Sequence, residues 1–267
     1  MTPSSRTLGR RSFVLGAALF ACPSCVRAPA DPPAPLPHPP SLSTGARRAR
    51  LAVLAVGAHP DDAESGCGGT LALYADAGHA VTIAYLTRGE LGIEGQTPEE
   101  AAATRTREAM QACELLGARA VFASQTNGHV EATPARLSEL RAIMDTIAPD
   151  VILAPWPVDT DPEHQIASML TVQAALAVGR TSSLYFYEID SGTDTLGYTP
   201  SVYVDITRVR ERKMAALRAH ASQSFANLYE RHDAKIEEFR GRAIGAPAAE
   251  AFASLAGAAR TGPMPGL

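Results

Sequence analysis

Residues 58–64 of the chain read Ala-His-Pro-Asp-Asp-Ala-Glu and bring His59, Asp61, Asp62 and Glu64 within six residues of one another. An imidazole and several carboxylates form a nitrogen- and oxygen-rich site that suits a divalent metal ion. The simpler interpretation is that the two aspartates cap a helix and that the histidine lies at the surface. A Gly-Gly-Thr follows the run, and this ordered combination favours a chemical site over a helix cap.

A second cluster lies further along the chain, where residues 155–164 read Pro-Trp-Pro-Val-Asp-Thr-Asp-Pro-Glu-His. A metal held by His59 and one acid needs at least one further ligand, and His164 ends this second cluster. Each cluster directly follows an apolar run that is typical of a buried parallel strand. Because ligands bind at the carboxyl ends of such strands, both clusters are predicted to lie on the same edge of a sheet.

The remaining sequence alternates apolar, strand-like runs with helical segments. Strands are predicted at 51–56, 81–86, 120–123, 151–154, 184–189 and 202–206, and helices at 98–117, 134–147, 165–178 and 209–220. A further helix is predicted to begin at Leu71, after a glycine-rich turn. This order predicts one α/β domain with a doubly wound, Rossmann-like, mostly parallel sheet and helices on both faces.

Several classes of protein are disfavoured by the sequence. No Gly-x-Gly-x-x-Gly follows the first strand, and the acids there would repel a pyrophosphate, which disfavours a nicotinamide dehydrogenase. No Gly-x-Ser-x-Gly elbow is present, which disfavours a serine hydrolase. The formal net charge of −4 combines about +6 in residues 1–50 with about −10 in the remainder. An acidic globular part disfavours nucleic-acid binding through a basic face.

Residues 1–28 look like a twin-arginine export signal. Gly-Arg-Arg-Ser-Phe-Val-Leu at 9–15 leads into an apolar core that is too short to span a bilayer. An uncleaved N-terminal anchor is the alternative. Leu-Phe-Ala before Cys22 is close to a lipobox, so lipidation at Cys22 and plain cleavage further along the chain both stay open.

The segment that follows the signal, residues 29–49, contains seven prolines and reads as an extended, disordered linker. The folded domain is therefore predicted over residues 50–267. We expect that domain to be exported, and to be periplasmic, extracellular or attached to the envelope by a lipid on Cys22. That lipid would be its one membrane contact.

The order of strand, Ala-His-Pro-Asp-Asp, acid and Gly-Gly-Thr resembles the fingerprint of the LmbE-like or PIG-L family of zinc-dependent deacetylases, which act on N-acetylglucosamine derivatives. The resemblance covers the chain from about residue 51 to the C-terminal region. It implies three metal ligands, His59, Asp62 and His164, with Zn²⁺ as the expected ion and Fe²⁺ as an alternative. It also implies that Asp61 is the general base that takes a proton from a metal-bound water.

The second cluster departs from the family pattern. The family has Asp-x-His-Pro-Asp-His there, and this chain has Asp161 in place of the first histidine and Glu163 in place of the second aspartate. The family histidine is thought to stabilise the oxyanion or to protonate the leaving amine, which puts Asp161 at a catalytic position. Asp161 could be held neutral, could orient His164, or could alter the chemistry; we favour the orienting role because a carboxylate opposes developing negative charge.

Four further residues are candidates for substrate binding. The resemblance aligns Arg105 with an arginine near the hydroxyl groups of the substrate, with a solvated helix charge as the alternative. Glu64 is expected to orient a metal ligand or to contact the substrate, with a purely structural role as the alternative. His129 follows the third predicted strand and is predicted to reach the pocket, with a surface position as the alternative. His220 matches the C-terminal half of bacterial members and is a candidate on the substrate side, with a structural role as the alternative.

Taken together, these features predict a zinc-dependent N-deacetylase that hydrolyses the amide of an N-acetylated amino sugar, and a small-molecule or glycan substrate. Two alternatives stay open. One is a non-catalytic, metal-containing carbohydrate-binding protein of the envelope, for which Asp161 is the supporting feature. The other is a metal hydrolase that acts on a different bond.

Overall fold

The structure is a computed structural model, and it describes residues 50–178, 182–190, 193–224, 229, 233–255 and 263–267. The export signal predicted at 1–28 and the linker predicted at 29–49 lie outside the described residues. None of the helices in the described part of the chain is long and apolar enough to cross a membrane.

The described residues form seven strands and six α-helices. The strands are β1 (Ala52–Gly57), β2 (Ala80–Tyr85), β3 (Ala118–Phe122), β4 (Val151–Pro155), β5 (Ser183–Tyr187), β6 (Val202–Asp205) and β7 (Ala249–Ser254). The helices are α1 (Asp62–Asp76), α2 (Pro98–Leu116), α3 (Pro134–Ile147), α4 (Pro162–Ala177), α5 (Arg210–Ala219) and α6 (Ala234–Arg242), and a 3₁₀ turn at Thr207–Val209 precedes α5.

The strands form one sheet in the order β3-β2-β1-β4-β5-β7-β6. Strands β1 to β5 are parallel to one another, and β7 is antiparallel to both β5 and β6. The chain winds outward from β1 in one direction and from β4 in the other, so the order reverses between these two central strands. Ligands bind at the carboxyl ends of strands at such a reversal, and both sequence clusters lie there.

Both faces of the sheet are covered by helices, which explains why the central strands are apolar at every position. On β1, Val53 packs into a core with Leu71 of α1 and other residues of α2 and α5. Leu54 points to the opposite face and packs into a second core that includes Leu140 of α3 and Leu170 of α4. The predicted doubly wound, mostly parallel α/β domain is therefore confirmed.

The start of α1 differs from the expectation. The helix begins at Asp62 rather than at Leu71, so the glycines of the 66–69 stretch lie inside it. Gly66 is required by packing and not by a turn, since a Cβ there would overlap the ring of Tyr187. Gly66 lets α1 pack closely against Tyr187 of β5, and the early start of the helix places Asp62 in its first turn.

Two elements were not anticipated from the sequence. Helix α6 and strand β7 lie near the C-terminus, and β7 is inserted between β5 and β6. The sequence of β7 is Ala-Glu-Ala-Phe-Ala-Ser, in which a buried Glu250 interrupts a run of small residues. Its pairing partners are distant in sequence, and this local pattern carries a weak strand signal.

Candidate metal centre and pocket

The turn between β1 and α1 fixes the carboxylate of Asp62. Its Oδ2 accepts hydrogen bonds from the backbone N–H groups of Ala58 at 2.7 Å and His59 at 2.9 Å. The residue before it, Asp61, has a φ of 114°, which a non-glycine residue rarely adopts. Strained backbone of this kind is common at functional sites, where surrounding contacts maintain it.

Three side chains from the two clusters meet at the carboxyl ends of β1 and β4. The other oxygen of Asp62, Oδ1, lies 3.7 Å from Nδ1 of His59 and 3.3 Å from Nε2 of His164. One ligand atom from each of the three residues lies within 4.8 Å of the others. Two imidazoles and one carboxylate, open to a pocket on one side, suit a catalytic metal such as zinc. The three residues predicted as ligands are therefore brought together.

The outer nitrogen of His59 is held by Glu163. Nε2 of His59 lies 2.7 Å from Oε2 of Glu163, and that oxygen also accepts a hydrogen bond from Nδ2 of Asn127 at 2.9 Å. The second oxygen of Glu163 accepts the backbone N–H of Val130 at 3.0 Å. With its outer N–H donated to a fixed carboxylate, His59 presents Nδ1 to the metal position, an arrangement usual around metal-binding histidines.

The outer nitrogen of His164 is held by Asp159, and this corrects the orienting role predicted for Asp161. Nδ1 of His164 lies 3.2 Å from Oδ1 of Asp159, a buried residue whose other oxygen accepts a hydrogen bond from Thr195 at 3.1 Å. Asp161 caps α4 through the backbone N–H of Glu163, and its other oxygen lies 4.0 Å from Nε2 of His164. Asp159, the more buried of the two aspartates on this loop, is therefore the residue that orients His164.

The carboxylates around the centre favour positive charge at both imidazoles. Burial opposes protonation of His59, but Asp62 and Glu163 raise its pKa to about 10. Burial likewise opposes protonation of His164, but Asp62 and Asp159 raise its pKa to about 11. The carboxylates that favour a proton on each imidazole would also balance the charge of a divalent cation. Such a cation binds neutral imidazole and would displace these protons, so the donor set fits a metal ion.

Asp61, predicted to be the general base, lies beside the centre and is paired with Arg105. Nη2 of Arg105 lies 2.8 Å from Oδ2 of Asp61 and also donates to the carbonyl oxygen of Pro60. Burial raises the pKa of Asp61, and the Arg105 guanidinium opposes that rise. Arg105 lines the pocket, as a substrate-binding residue must. It is packed against Gly89, where a Cβ would lie 2.6 Å from its Cδ.

The structure places two predicted substrate residues behind the centre instead of in the pocket. Glu64 and His220 are fully buried, and Nε2 of His220 lies 3.1 Å from Oε1 of Glu64. The hydroxyl of Tyr85 donates to the same oxygen at 2.6 Å. Because α1 begins early, Glu64 points into the core between α1, β2 and the end of α5. The hydrogen bonds of Glu64 are therefore with buried Tyr85 and His220.

His129 is also outside the pocket lining. It is exposed on the loop after β3, while Asn127, two residues earlier, lines the pocket. His129 therefore takes the surface position that was the alternative, and Asn127 of the same loop lies at the pocket. The sequence does not indicate a role for Asn127 in the site, because an asparagine in a turn usually stabilises the turn itself.

The pocket over the centre has a volume of about 300 Å³, near the lower end for small-molecule sites. Its lining residues are His59, Asp61, Asp62, Ser65, Arg105, Asn127, Asp161, His164, Ile189, Asp190, Asp194 and Asp233. The last four come from the β5–β6 connection and the residue before α6. No local sequence pattern marks them, and sequence reasoning missed them.

Comparison with known proteins adds independent information. A family model described as PIG-L, GlcNAc-PI de-N-acetylase, matches residues 54–175, which contain both halves of the metal centre. A diacetylchitobiose deacetylase from Thermococcus kodakarensis is 29% identical over 194 residues, which cover 67% of this chain and 72% of that protein.

Solved structures share the fold. A conserved protein from Thermus thermophilus is 31% identical, with a TM-score of 0.68 over 77% of this chain and 94% of that chain. A 4-carboxy-2-hydroxymuconate hydratase from Pseudomonas putida is 25% identical, with a TM-score of 0.69 over 76% of this chain and 95% of that chain. Similar proteins therefore include a deacetylase and a hydratase.

Proposed function

The chain belongs to the PIG-L family of de-N-acetylases, and we propose that it hydrolyses the acetamide of an N-acetylated amino sugar of the N-acetylglucosamine type. Relatives of the chain are deacetylases of N-acetylated sugars. The observation that carries the proposal is the meeting of His59, Asp62 and His164 in one pocket, with the carboxylate of Asp61 beside them.

A metal ion is part of this proposal. His59, Asp62 and His164 would hold it, and Glu163 and Asp159 would orient the two imidazoles. When bound, a divalent ion lowers the pKa of a water molecule and polarises the carbonyl of the amide. Zn²⁺ is the ion we expect, and Fe²⁺ suits two imidazoles and a carboxylate nearly as well.

Asp61 would act as the general base. Its carboxylate accepts a proton from the attacking water, whose oxygen forms a bond to the acetamide carbon. The carbon–nitrogen bond then breaks, acetate leaves, and the proton on Asp61 is available to the departing amine nitrogen. Arg105 positions the carboxylate through the contact of 2.8 Å and keeps it from rotating away.

Asp161 has no part in these proton transfers. A carboxylate cannot donate a hydrogen bond to an oxyanion, and its charge would oppose the one that develops there. Asp161 caps α4 and contributes one negative charge to the pocket. We therefore assign it to substrate binding and not to the chemical step.

Hydration of a carbon–carbon double bond is the second candidate, because a hydratase is as similar to the chain as the deacetylases are. The pocket argues against it. The named substrate of that hydratase carries carboxylates, and several aspartates of this pocket would repel them. A carbohydrate-binding protein without activity would not need Asp61 in a strained backbone conformation, with a φ of 114°.

The proposal is tested by acetate release from a panel of N-acetylglucosamine glycosides with the full chain. We expect release that a chelator abolishes and that added Zn²⁺ or Fe²⁺ restores. The same panel includes an unsaturated dicarboxylate, whose loss would indicate a hydratase. Saturable sugar binding without acetate release, by protein that holds metal, would contradict deacetylation and support the binding protein.

We also propose that the enzyme is exported, on the basis of residues 1–28 alone. Its substrates would then be glycans of the envelope or the exterior. Cell fractionation with an antibody against the folded domain tests this. Recovery of all the protein and all the activity in the cytoplasm would contradict it.

A further inference from the structure

The pocket beside the metal centre holds more negative charge than its own cations balance. Among the lining residues that the structure describes, Arg105 is the one lysine or arginine, and it is already paired with Asp61 at 2.8 Å. Asp62 is assigned to the metal. Four lining aspartates remain, Asp161, Asp190, Asp194 and Asp233. Three of them, Asp161, Asp194 and Asp233, come from three separate parts of the chain: the start of α4, the β5–β6 connection and the residue before α6. We call these three residues the acidic wall.

Resting on the deacetylation proposed above, we propose that the substrate carries a protonated amine near its N-acetyl group, and that the acidic wall binds this amine. A partially deacetylated N-acetylglucosamine oligosaccharide has this chemistry. The acetamide to be hydrolysed would lie at the metal, and the free amine of a neighbouring sugar would lie at the acidic wall. An ammonium group and carboxylates form charge-assisted hydrogen bonds, which are stronger than those of a hydroxyl.

Asp233 supplies the observation that points to a ligand. It is 6% exposed and lines the pocket. Its Oδ1 accepts a hydrogen bond from the hydroxyl of Ser65 at 3.0 Å, whereas its Oδ2 has no hydrogen-bond partner among the described residues. Burial raises the pKa of Asp233 to about 7, against the effect of Lys213. Buried acceptors are nearly always satisfied, so an unsatisfied one at a pocket calls for a donor from a ligand.

The other two carboxylates lie nearer the solvent. Asp194 is partly buried and accepts a hydrogen bond from the hydroxyl of Thr160 at 3.3 Å. Burial and the nearby charge of Asp159 raise the pKa of Asp194, so a cation beside it would stabilise its charged form. The side chain of Asp161 is 35% exposed, and its Oδ2 lies 4.0 Å from Nε2 of His164. Both are accessible to a ligand that enters the pocket.

The departure of Asp161 from the family pattern fits this assignment. A carboxylate is a poor residue for the oxyanion, but it is a good one for an ammonium group. In addition to burial, the charge of Asp161 raises the pKa of Asp194, and a cation bound between these two carboxylates would relieve their repulsion. A neutral sugar hydroxyl can form hydrogen bonds here, but it leaves the charges unbalanced.

The test compares two disaccharides that share one N-acetylglucosamine unit. In the first the second sugar is glucosamine, and in the second it is glucose, so an amine replaces a hydroxyl at one position. Binding is measured by calorimetry with the full, zinc-loaded chain carrying Asp61→Asn, which keeps both ligands intact. We expect the amine-bearing disaccharide to bind about tenfold more tightly, with a difference that shrinks as salt is added.

Variants of the acidic wall locate the effect. In the Asp61→Asn background, Asp194→Asn and Asp233→Asn should each bring the ratio of the two affinities closer to one. Asp145→Asn is the matched control, because Asp145 is an exposed aspartate of α3 outside the pocket lining. Equal affinities for the two disaccharides, or a preference that survives both wall substitutions, would overturn the inference.

Acetate release by the unsubstituted chain separates this inference from the proposed function. Release from both disaccharides at equal kcat/KM supports deacetylation and contradicts the acidic wall. Preferential binding of the amine without acetate release from either disaccharide supports the acidic wall and contradicts deacetylation.

Discussion

Helix α1 contacts two buried clusters of charged side chains, and the negative charge of the carboxylates is balanced differently in the two. At its first turn, Asp62 faces the imidazoles of His59 and His164. At its middle, the backbone N–H groups of Gly69 and Thr70 donate to the carboxylate of Glu250 at 2.8 and 2.7 Å. We call the second one the lysine cluster, because Glu250 and Glu237 both pair with Lys213 at 2.9 Å.

The lysine cluster contains a lysine that keeps its positive charge, whereas the metal centre contains two histidines, which lose their protons when a metal ion binds. Burial opposes protonation of Lys213, but Glu237 and Glu250 hold its pKa well above the usual value. Its two glutamates are balanced from within the chain by Lys213 and by Arg210, whose Nε lies 2.8 Å from Oε2 of Glu237. This internal balance suits a structural role. In the metal centre the imidazoles are oriented by further carboxylates and face a pocket. The metal centre can therefore bind a cation from solution. The difference distinguishes a structural cluster from a functional one.

The largest expected effect is on metal binding. His164→Ala removes one of three ligands, so bound zinc should fall from about one ion per chain to a small fraction of that. His129→Ala is the matched control, because His129 is exposed and lies outside the pocket. Metal analysis after dialysis measures both. Full metal content in His164→Ala would show that the site has been misassigned.

The lysine cluster should respond in stability and not in metal content. Lys213→Met leaves the buried Glu250 without a cation and Glu237 with Arg210 alone, and the free energy of unfolding should fall by about 3–5 kcal/mol. Lys235→Met changes a lysine of α6 outside the cluster and should shift it by less than about 0.5 kcal/mol. Urea denaturation gives both values. If Lys213→Met does not fold, the milder Glu237→Gln should still show a loss of stability with normal metal content, and unchanged stability in that variant would contradict the comparison.

The residues that orient the imidazoles should have an intermediate effect. Asp159→Asn weakens the hold on His164, so zinc affinity should fall by about 10–100-fold. Asp161→Asn should change zinc affinity much less, since Asp161 makes no hydrogen bond to that ring within the described residues. Competition with a chelating dye measures both affinities. The reverse order would restore the orienting role to Asp161.

The last effect concerns pH and involves Asp233, which lines the pocket and whose charged form Lys213 stabilises. Its pKa is about 7 in the folded chain and near 4 in an unfolded one, so the folded chain holds an extra proton between these values. Stability contributed by that proton is present at low pH and is lost as pH rises from about 4 to about 7, by at most about 1.4 kcal/mol per unit. Asp233→Asn should flatten this slope in urea denaturation at several pH values, and Asp145→Asn should not. A slope unchanged by Asp233→Asn would mean that Asp233 does not hold the proton.

Much of the fold followed from local patterns in the sequence. Helix α3 spans Pro134–Ile147, as predicted, because a threonine before a proline begins a helix clearly and the apolar spacing continues to its end. Helix α2 ends before Gly117, whose φ of 73° suits a glycine at a helix C-terminus. Both halves of the metal centre were also predictable, because they directly follow buried apolar strands.

What was missed depends on contacts between residues that are far apart in sequence. The early start of α1 depends on Tyr187, whose ring fills the space beside Gly66. The burial of His220 depends on Glu64, 156 residues away. The choice of Asp159 over Asp161 depends on how the loop after β4 folds back on α4. A local pattern identifies residues capable of chemistry, but only packing decides which of them face the pocket.

The central claim, that the metal centre works with Asp61 as general base, is tested most directly by Asp61→Asn. Asparagine has nearly the same shape and tolerates a positive φ, so the turn should be preserved. Zinc content and acetate release are measured on the same preparation. We predict normal zinc content and a kcat lower by about 10²–10⁴-fold. Full kcat with normal zinc content would contradict the claim.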